Sequence, residues 1–165
     1  MKTRVIALSL ALLAGLSPGP HKHRLPRFSD YPVKDIYRGT PAKPKLNHNR
    51  EARMYRTVLS DGVTEGANFA GHYTYVDWGC GTDCQKMAIV NIETGDVFMY
   101  PVPGPTGNGA LYRLNSRLLI TDPIDSTMEG FPRDKWPTTY YWTWDGTRLH
   151  LIDSSEVLIG PDSTL

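Results

Sequence analysis

Cysteine occurs only twice in this 165-residue chain, and the two stand close together, Cys80 and Cys84, in a C-x-x-x-C spacing. They follow a run, His72-Tyr73-Thr74-Tyr75-Val76-Asp77-Trp78, that alternates in character and is rich in Tyr, Thr and Val. Such composition suits a strand with one face buried. A strand leading straight into such a pair leaves the chain few choices. An even cysteine count in an exported chain favours a disulfide, and Gly81 makes a tight loop between the sulfurs feasible. The closed loop is small, so its entropic stabilisation is about 2–3 kcal/mol. Its larger effect is to shape the turn after the strand. The loop from Gly79 to Gln85 is the expected contact surface, through Gly79, Gly81, Thr82, Asp83 and Gln85.

The stretch from Asn68 to Gln85 also concentrates His72, Asp77 and Asp83. Three chemistries compete with a plain staple. His72 and the two cysteines are zinc-ligand types, but zinc takes three or four such ligands and no second cysteine or histidine pair stands at a usual spacing. A cysteine nucleophile with His72 as base and Asp77 or Asp83 as orienter has the right residue types. It also needs a reduced thiol, with its oxidation partner four residues away. A thioredoxin-type redox pair needs C-x-x-C ahead of a helix, and neither condition holds. We therefore expect no metal and no cofactor, and His72, Asp77 and Asp83 remain as the catalytic candidates. No G-x-S-x-G, H-E-x-x-H, phosphate-cradling glycine loop or dinucleotide fingerprint occurs.

The context for the disulfide comes from the N-terminus. Met1-Lys2-Thr3-Arg4 is basic, Val5 to Leu16 is apolar apart from Ser9 and Gly15, and Ser17-Pro18-Gly19-Pro20 breaks any helix. This reads as a secretory signal peptide over residues 1–17, too short to span a bilayer. A periplasmic or secreted protein follows from it. No other stretch is apolar enough to cross a membrane, so an integral membrane protein is not expected. Residues 18–47 are rich in Pro, Lys, Arg and His. Prolines at 41 and 44 keep that segment extended, and we read it as a basic arm wrapping the edge of one domain, residues 48–165.

Charge is divided along the chain. Residues 20–56 hold ten basic and three acidic side chains, net +7, whereas residues 57–165 hold six and fourteen, net −8. An arm lying on its own acidic body accounts for this division, and the competing reading is an arm that touches an anionic surface such as a membrane or cell-wall polymer. A nucleic-acid partner is not expected, because the basic residues are not interleaved with stacking aromatics. An acidic body suits a cationic protein or a component of the cell envelope.

Fifteen glycines and thirteen prolines act as turn punctuation, which suits many short strands. One helix is expected, from Asn49 to Asp61, capped by Asn47 or Asn49 and stopped at Asp61-Gly62, with a second turn running on to Glu65 before Gly66 as the alternative. Met54 with Val58, and Tyr55 with Leu59, would form its apolar face. Strands follow over His72–Trp78, Met87–Ile92, Val97–Val102, Leu111–Leu114, Arg117–Thr121, Thr138–Trp144 and Arg148–Ile152, with turns at Thr94-Gly95 and Asp145-Gly146. Asp122, Asp125 and Glu129 fall on a long polar connection. Alternation puts Tyr141 on the opposite side of its strand from Trp142 and Trp144. The sum is a mainly β chain, an antiparallel meander forming a curled sheet or a small sandwich or barrel with the N-terminal helix packed on it.

Phe69-Ala70-Gly71-His72-Tyr73 followed by Trp78-Gly79-Cys80-Gly81-Thr82-Asp83-Cys84-Gln85 resembles the motif of a family of small, exported, uncharacterised bacterial proteins. The likeness extends to Asp30-Tyr31-Pro32-Val33, to Ala88-Ile89-Val90 with Thr94-Gly95, and to Arg113-Leu114-Asn115-Ser116-Arg117-Leu118-Leu119. It implies an exported single-domain protein and no mechanism. The function expected is a non-catalytic binding or inhibitor module of the cell envelope, with the stapled loop as its contact surface. The competing expectation is an envelope hydrolase using His72 with Asp77, Asp83 or a reduced cysteine.

Overall fold

A computed structural model describes residues 24–47, 49–104 and 106–158. The signal peptide expected over residues 1–17, and the first residues of the arm, lie outside the described residues. Seven strands form two antiparallel sheets. The first contains β1 (Tyr73–Gly81), β2 (Cys84–Asn91) and β3 (Val97–Met99), in that order. The second contains β4 (Ala110–Tyr112), β5 (Leu118–Thr121), β6 (Thr139–Trp144) and β7 (Leu149–Ser155), again in chain order. Each sheet is a meander, and the two stack without closing into a barrel.

The layers follow from strand alternation, which sends successive side chains to opposite faces. In the first sheet Tyr75, Met87 and Ile89 face the second sheet and meet Leu119, Trp142 and Trp144 there. Val76, Ala88 and Val90 face the other way, onto Ala52, Leu59 and Val63 of the helices. Burial of both faces explains why Thr74, Tyr75 and Val76 are all buried, where a one-sided strand would show strict alternation. In the second sheet Leu118, Ile120 and Tyr141 face outward and are covered by Phe28, Leu25 and Tyr31 of the arm. The expected separation of Tyr141 from Trp142 and Trp144 is therefore present.

The helical region differs from the single helix expected over Asn49–Asp61. Asn49 does cap it, accepting from the amides of Glu51 and Ala52. The helix then breaks at Tyr55, giving α1 (Arg50–Met54) and α2 (Arg56–Thr64). Tyr55, Val58 and Leu59 still pack on one face against the first sheet, but Met54 is 64 % exposed where the spacing placed it with them. Gly62, expected at the helix end, lies inside α2. A Cβ there would come within 2.7 Å of a Val76 methyl, so glycine lets the helix seat on β1.

The strand expected to run to Val102 stops at Met99, because Tyr100 takes a left-handed conformation (φ 50°). The turn at Gly95 (φ +83°) joins β2 to β3, and the Asp145-Gly146 turn joins β6 to β7, as expected from their turn residues.

The arm is extended and is held mainly by backbone pairing. Val33 donates to the Asn115 carbonyl, Tyr37 to Gly71, Ala42 to Ile92 and Lys45 to Gly95, at 2.7–3.0 Å. The buried Ser116 hydroxyl reaches the carbonyls of Phe28 and Tyr31 at 2.9 and 3.1 Å. Among the described residues one ion pair joins a base of the arm to an acid of the body, Lys45 with Asp96 at 2.9 Å. Among the described residues, backbone hydrogen bonds and the burial of Phe28 thus hold the arm at more points than ion pairs do.

Candidate functional site

β1 and β2 form one long hairpin, and its two ends hold different kinds of chemistry. Pairing runs from Tyr73 opposite Asn91 to Gly81 opposite Cys84, with an irregularity between Gly79 and Gly81. Cys80 and Cys84 are joined by a disulfide, with Cα atoms 5.1 Å apart. Gly79, Gly81, Cys84 and Gln85 therefore belong to paired strands, and the expected loop from Gly79 to Gln85 shortens to a turn at Thr82 and Asp83. The reason is the staple itself, which holds the strand ends together to the last residue. Asp83 takes φ 51° in that turn, a conformation acidic and amide side chains tolerate better than most. Residues 79–83 are all exposed, and a Cβ at Gly79 or Gly81 would have nothing within 4 Å.

Gln85 departs from this surface. It pairs with Thr106 through two backbone hydrogen bonds of 2.7 and 3.0 Å, its side chain turns inward, and its Oε1 is buried. Gln85 anchors the Pro- and Gly-rich loop after β3 to the hairpin, so we remove it from the contact residues.

His72 sits at the opposite end of the hairpin, just before β1. Its Nδ1 lies 2.9 Å from Glu93 Oε2 and its Nε2 3.1 Å from Asp35 Oδ2. One carboxylate belongs to the β2–β3 turn and the other to the arm, so the imidazole clasps the arm to the hairpin. Nine strand residues at about 3.3 Å each put His72 and Asp83 roughly 30 Å apart, and Asp77 roughly 16 Å from His72. The three catalytic candidates do not converge. With both sulfurs in the disulfide, no free thiol is available to act as a nucleophile. Among the described residues no three His, Cys, Asp or Glu side chains gather as a metal would need.

A second feature adjoins the stapled tip. Asp122 follows β5 with φ 51°, and its Oδ1 accepts from the amides of Gly107 (2.6 Å) and Asn108 (2.9 Å). The loop thus tied down runs past the hairpin tip, where the Asp83 carbonyl lies 3.7 Å from the Cβ position of Gly107. Beside Asp122 opens a cleft of about 300 Å³, walled by Thr106, Thr121, Tyr140, Trp142 and Leu151. A neighbouring hollow of about 370 Å³ shares Asp122 and Tyr140 and includes Asn108 and Lys135. Trp142 is fixed by donating from its indole N–H to Thr121 Oγ1 at 3.0 Å. Tyr140 lies 6.0 Å from it, centroid to centroid.

Asp77 and Asp122 share a further neighbour, the buried Tyr75 hydroxyl. Burial pushes the Tyr75 pKa far above the ordinary tyrosine value, and the charges of Asp77 and Asp122 add to the effect. Asp77 and Asp122 are thus both near enough to Tyr75 to act on it. Sequence reasoning left Asp122 on a polar connection with Asp125 and Glu129. It missed the cleft because its walls come from four separate segments. The local signal was Thr121-Asp122-Pro123, an acid held before a proline at the end of an apolar strand.

No protein-family model matches the chain, nor does any curated protein or solved structure.

Proposed function

We propose that the chain is an exported, non-catalytic binding module of the cell envelope that presents its disulfide-stapled hairpin tip to a cationic protein. The supporting observation is the tip: an exposed turn, closed by a covalent bond and carrying Asp83, with Asp77 further along the same strand. A surface ordered before contact loses little entropy when a partner arrives. Export is part of the proposal. A disulfide and the lack, among the described residues, of a helix long and apolar enough to cross a membrane are compatible with a place outside the cytoplasm. The separation of His72 from Asp77 and Asp83 favours this reading over a hydrolase built on those residues.

The test is retention of a basic lysozyme, as a model cationic protein, on the immobilised native chain at low and high salt. Binding should be strongest at low salt and should fall about tenfold when Asp77→Lys and Asp83→Lys reverse the charge of the tip. Equal retention by the charge-reversed protein would remove the tip from the binding surface.

A further inference from the structure

We infer that the cleft beside Asp122 is a receptor for an alkylammonium group, and specifically for a lysine side chain of the basic partner. The inference rests on the binding-module reading and adds a pocket to it.

The lining defines what fits. Its polar side-chain groups are one carboxylate, the hydroxyls of Thr106, Thr121 and Tyr140, and the Trp142 indole N–H. Thr121 Oγ1 is already engaged by the Trp142 indole. Thr106 is 2 % exposed, and its hydroxyl has no hydrogen-bond partner among the described residues. Gln85 stands directly opposite Thr106 in a hydrogen-bonded pair, which puts the two side chains on the same face. Its buried Oε1 likewise lacks a donor. Both oxygens can accept, and the Thr106 hydroxyl can also donate, so an incoming N–H group is one partner that satisfies them.

Charge narrows the choice. Among the described residues no basic side chain pairs with Asp122. Tyr140 and Trp142 present aromatic surface beside the carboxylate, and a cation is stabilised by both neighbours. Asp122 Oδ1 already accepts two amide hydrogens, leaving Oδ2 as the principal site for another donor. One oxygen suits the point charge of an ammonium better than the two-pronged guanidinium of arginine. Leu151 and the aromatic rings give the aliphatic stem a surface to lie on.

The position is also suited to the task. Gln85, one residue beyond the stapled Cys84, pairs with Thr106 of the cleft wall, so tip and cleft form one surface. A partner resting on Asp83 would have a lysine within reach of Asp122.

The experiment is an amide-resolved NMR titration of the native, oxidised protein with Nα-acetyl-lysine methylamide, using Nα-acetyl-norleucine methylamide as the uncharged control. The lysine compound should produce saturable shifts at the Gly107 and Asn108 amides and at the Trp142 indole N–H, with weak affinity. Asp122→Asn keeps an oxygen for the two amides and suits the left-handed backbone, so the fold should persist while affinity drops about tenfold or more. Tyr140→Ala, at an exposed ring, provides a second variant that should weaken the same shifts. Equal shifts with the norleucine compound would show a merely apolar groove and overturn the proposal. So would lysine binding undiminished in Asp122→Asn. If the probe fails to bind while lysozyme retention still depends on Asp77 and Asp83, the cleft assignment falls and the tip reading stands. The reverse pattern would retain the cleft and discard the tip.

Discussion

Gly71 lies where three stretches of chain meet. Its amide donates to Leu114, its carbonyl accepts from Tyr37, and the neighbouring Ala70 amide donates to Arg113. A Cβ on Gly71 would stand 2.2 Å from the Asp35 carbonyl oxygen, and its φ is +79°. Both facts require glycine. We expect Gly71→Ala to cost about 3 kcal/mol, combining left-handed strain with a clash against immovable backbone. Gly79→Ala, with open space around it and no positive φ, should change stability by less than about 0.5 kcal/mol. Denaturant midpoints of the two variants make the comparison, and equal losses would refute the junction account. The same contacts give His72 a structural place, since its two carboxylate partners tie the arm and the β2–β3 turn to that junction. His72 and its neighbours drew attention in the sequence for their chemistry. Their use here is to bring distant segments together, which local pattern does not display.

Among the elements, the stapled hairpin is the most legible. The cysteine spacing, the strand composition before it and the turn glycine at Gly95 all agree with the observed pairing. Replacing both cysteines, Cys80→Ser with Cys84→Ser, should lower stability by about 2 kcal/mol. It should also speed amide exchange from Gly79 to Gln85 while β5 to β7 keep their relative protection. Unchanged exchange at the tip would mean the strands alone order it. The helix was less legible because its break at Tyr55 answers to packing: Tyr55 stacks at 4.5 Å on Trp78 of β1. The cleft was least legible of all. Thr106, Asp122, Tyr140 and Leu151 come from separate connections and strands, and only the packing of the loop after β3 against the second sheet makes them neighbours.

For the whole molecule, ionisable groups bound the range of pH in which the fold persists. Hydrogen bonds from His150 and then from the Arg148 and Thr147 amides hold the Asp145 carboxyl well below the usual carboxylate range. Lys45 lowers Asp96, and Arg24 lowers Asp30. A depressed carboxyl favours the folded state above the unfolded value, about 4, and that contribution is lost as pH falls through the folded value. The tyrosines act at the other limit. Burial pushes Tyr141 up to about 12, with Asp153 adding to it, and raises Tyr75 further. Their contribution is complete below about pH 10 and is lost as pH climbs through the folded values. Urea midpoints from about pH 2 to about pH 12 should therefore fall at both ends, with the last part of the tyrosinate absorbance appearing only with alkaline unfolding. Ionisation of all nine tyrosines before unfolding would contradict the burial of Tyr141. The fold class itself, a mainly β sandwich with helix on one side, was readable from period-two runs and turn residues. The arm's place as an outer layer was not, since it depends on which face of the second sheet remains to be covered.

That outer layer sets an order of assembly. Phe28 is synthesised early, yet the surface it covers includes Leu118, Ile120 and Tyr141, and the Ser116 hydroxyl that binds its carbonyl stands 88 residues later. The later part of the arm pairs with the first sheet, but Phe28 has nothing to dock on until β5 and β6 exist. Docking of Phe28 must therefore await those strands, and closure over such a separation is slow compared with that of local helical structure. The outer layer thus settles only after the sheet that it covers.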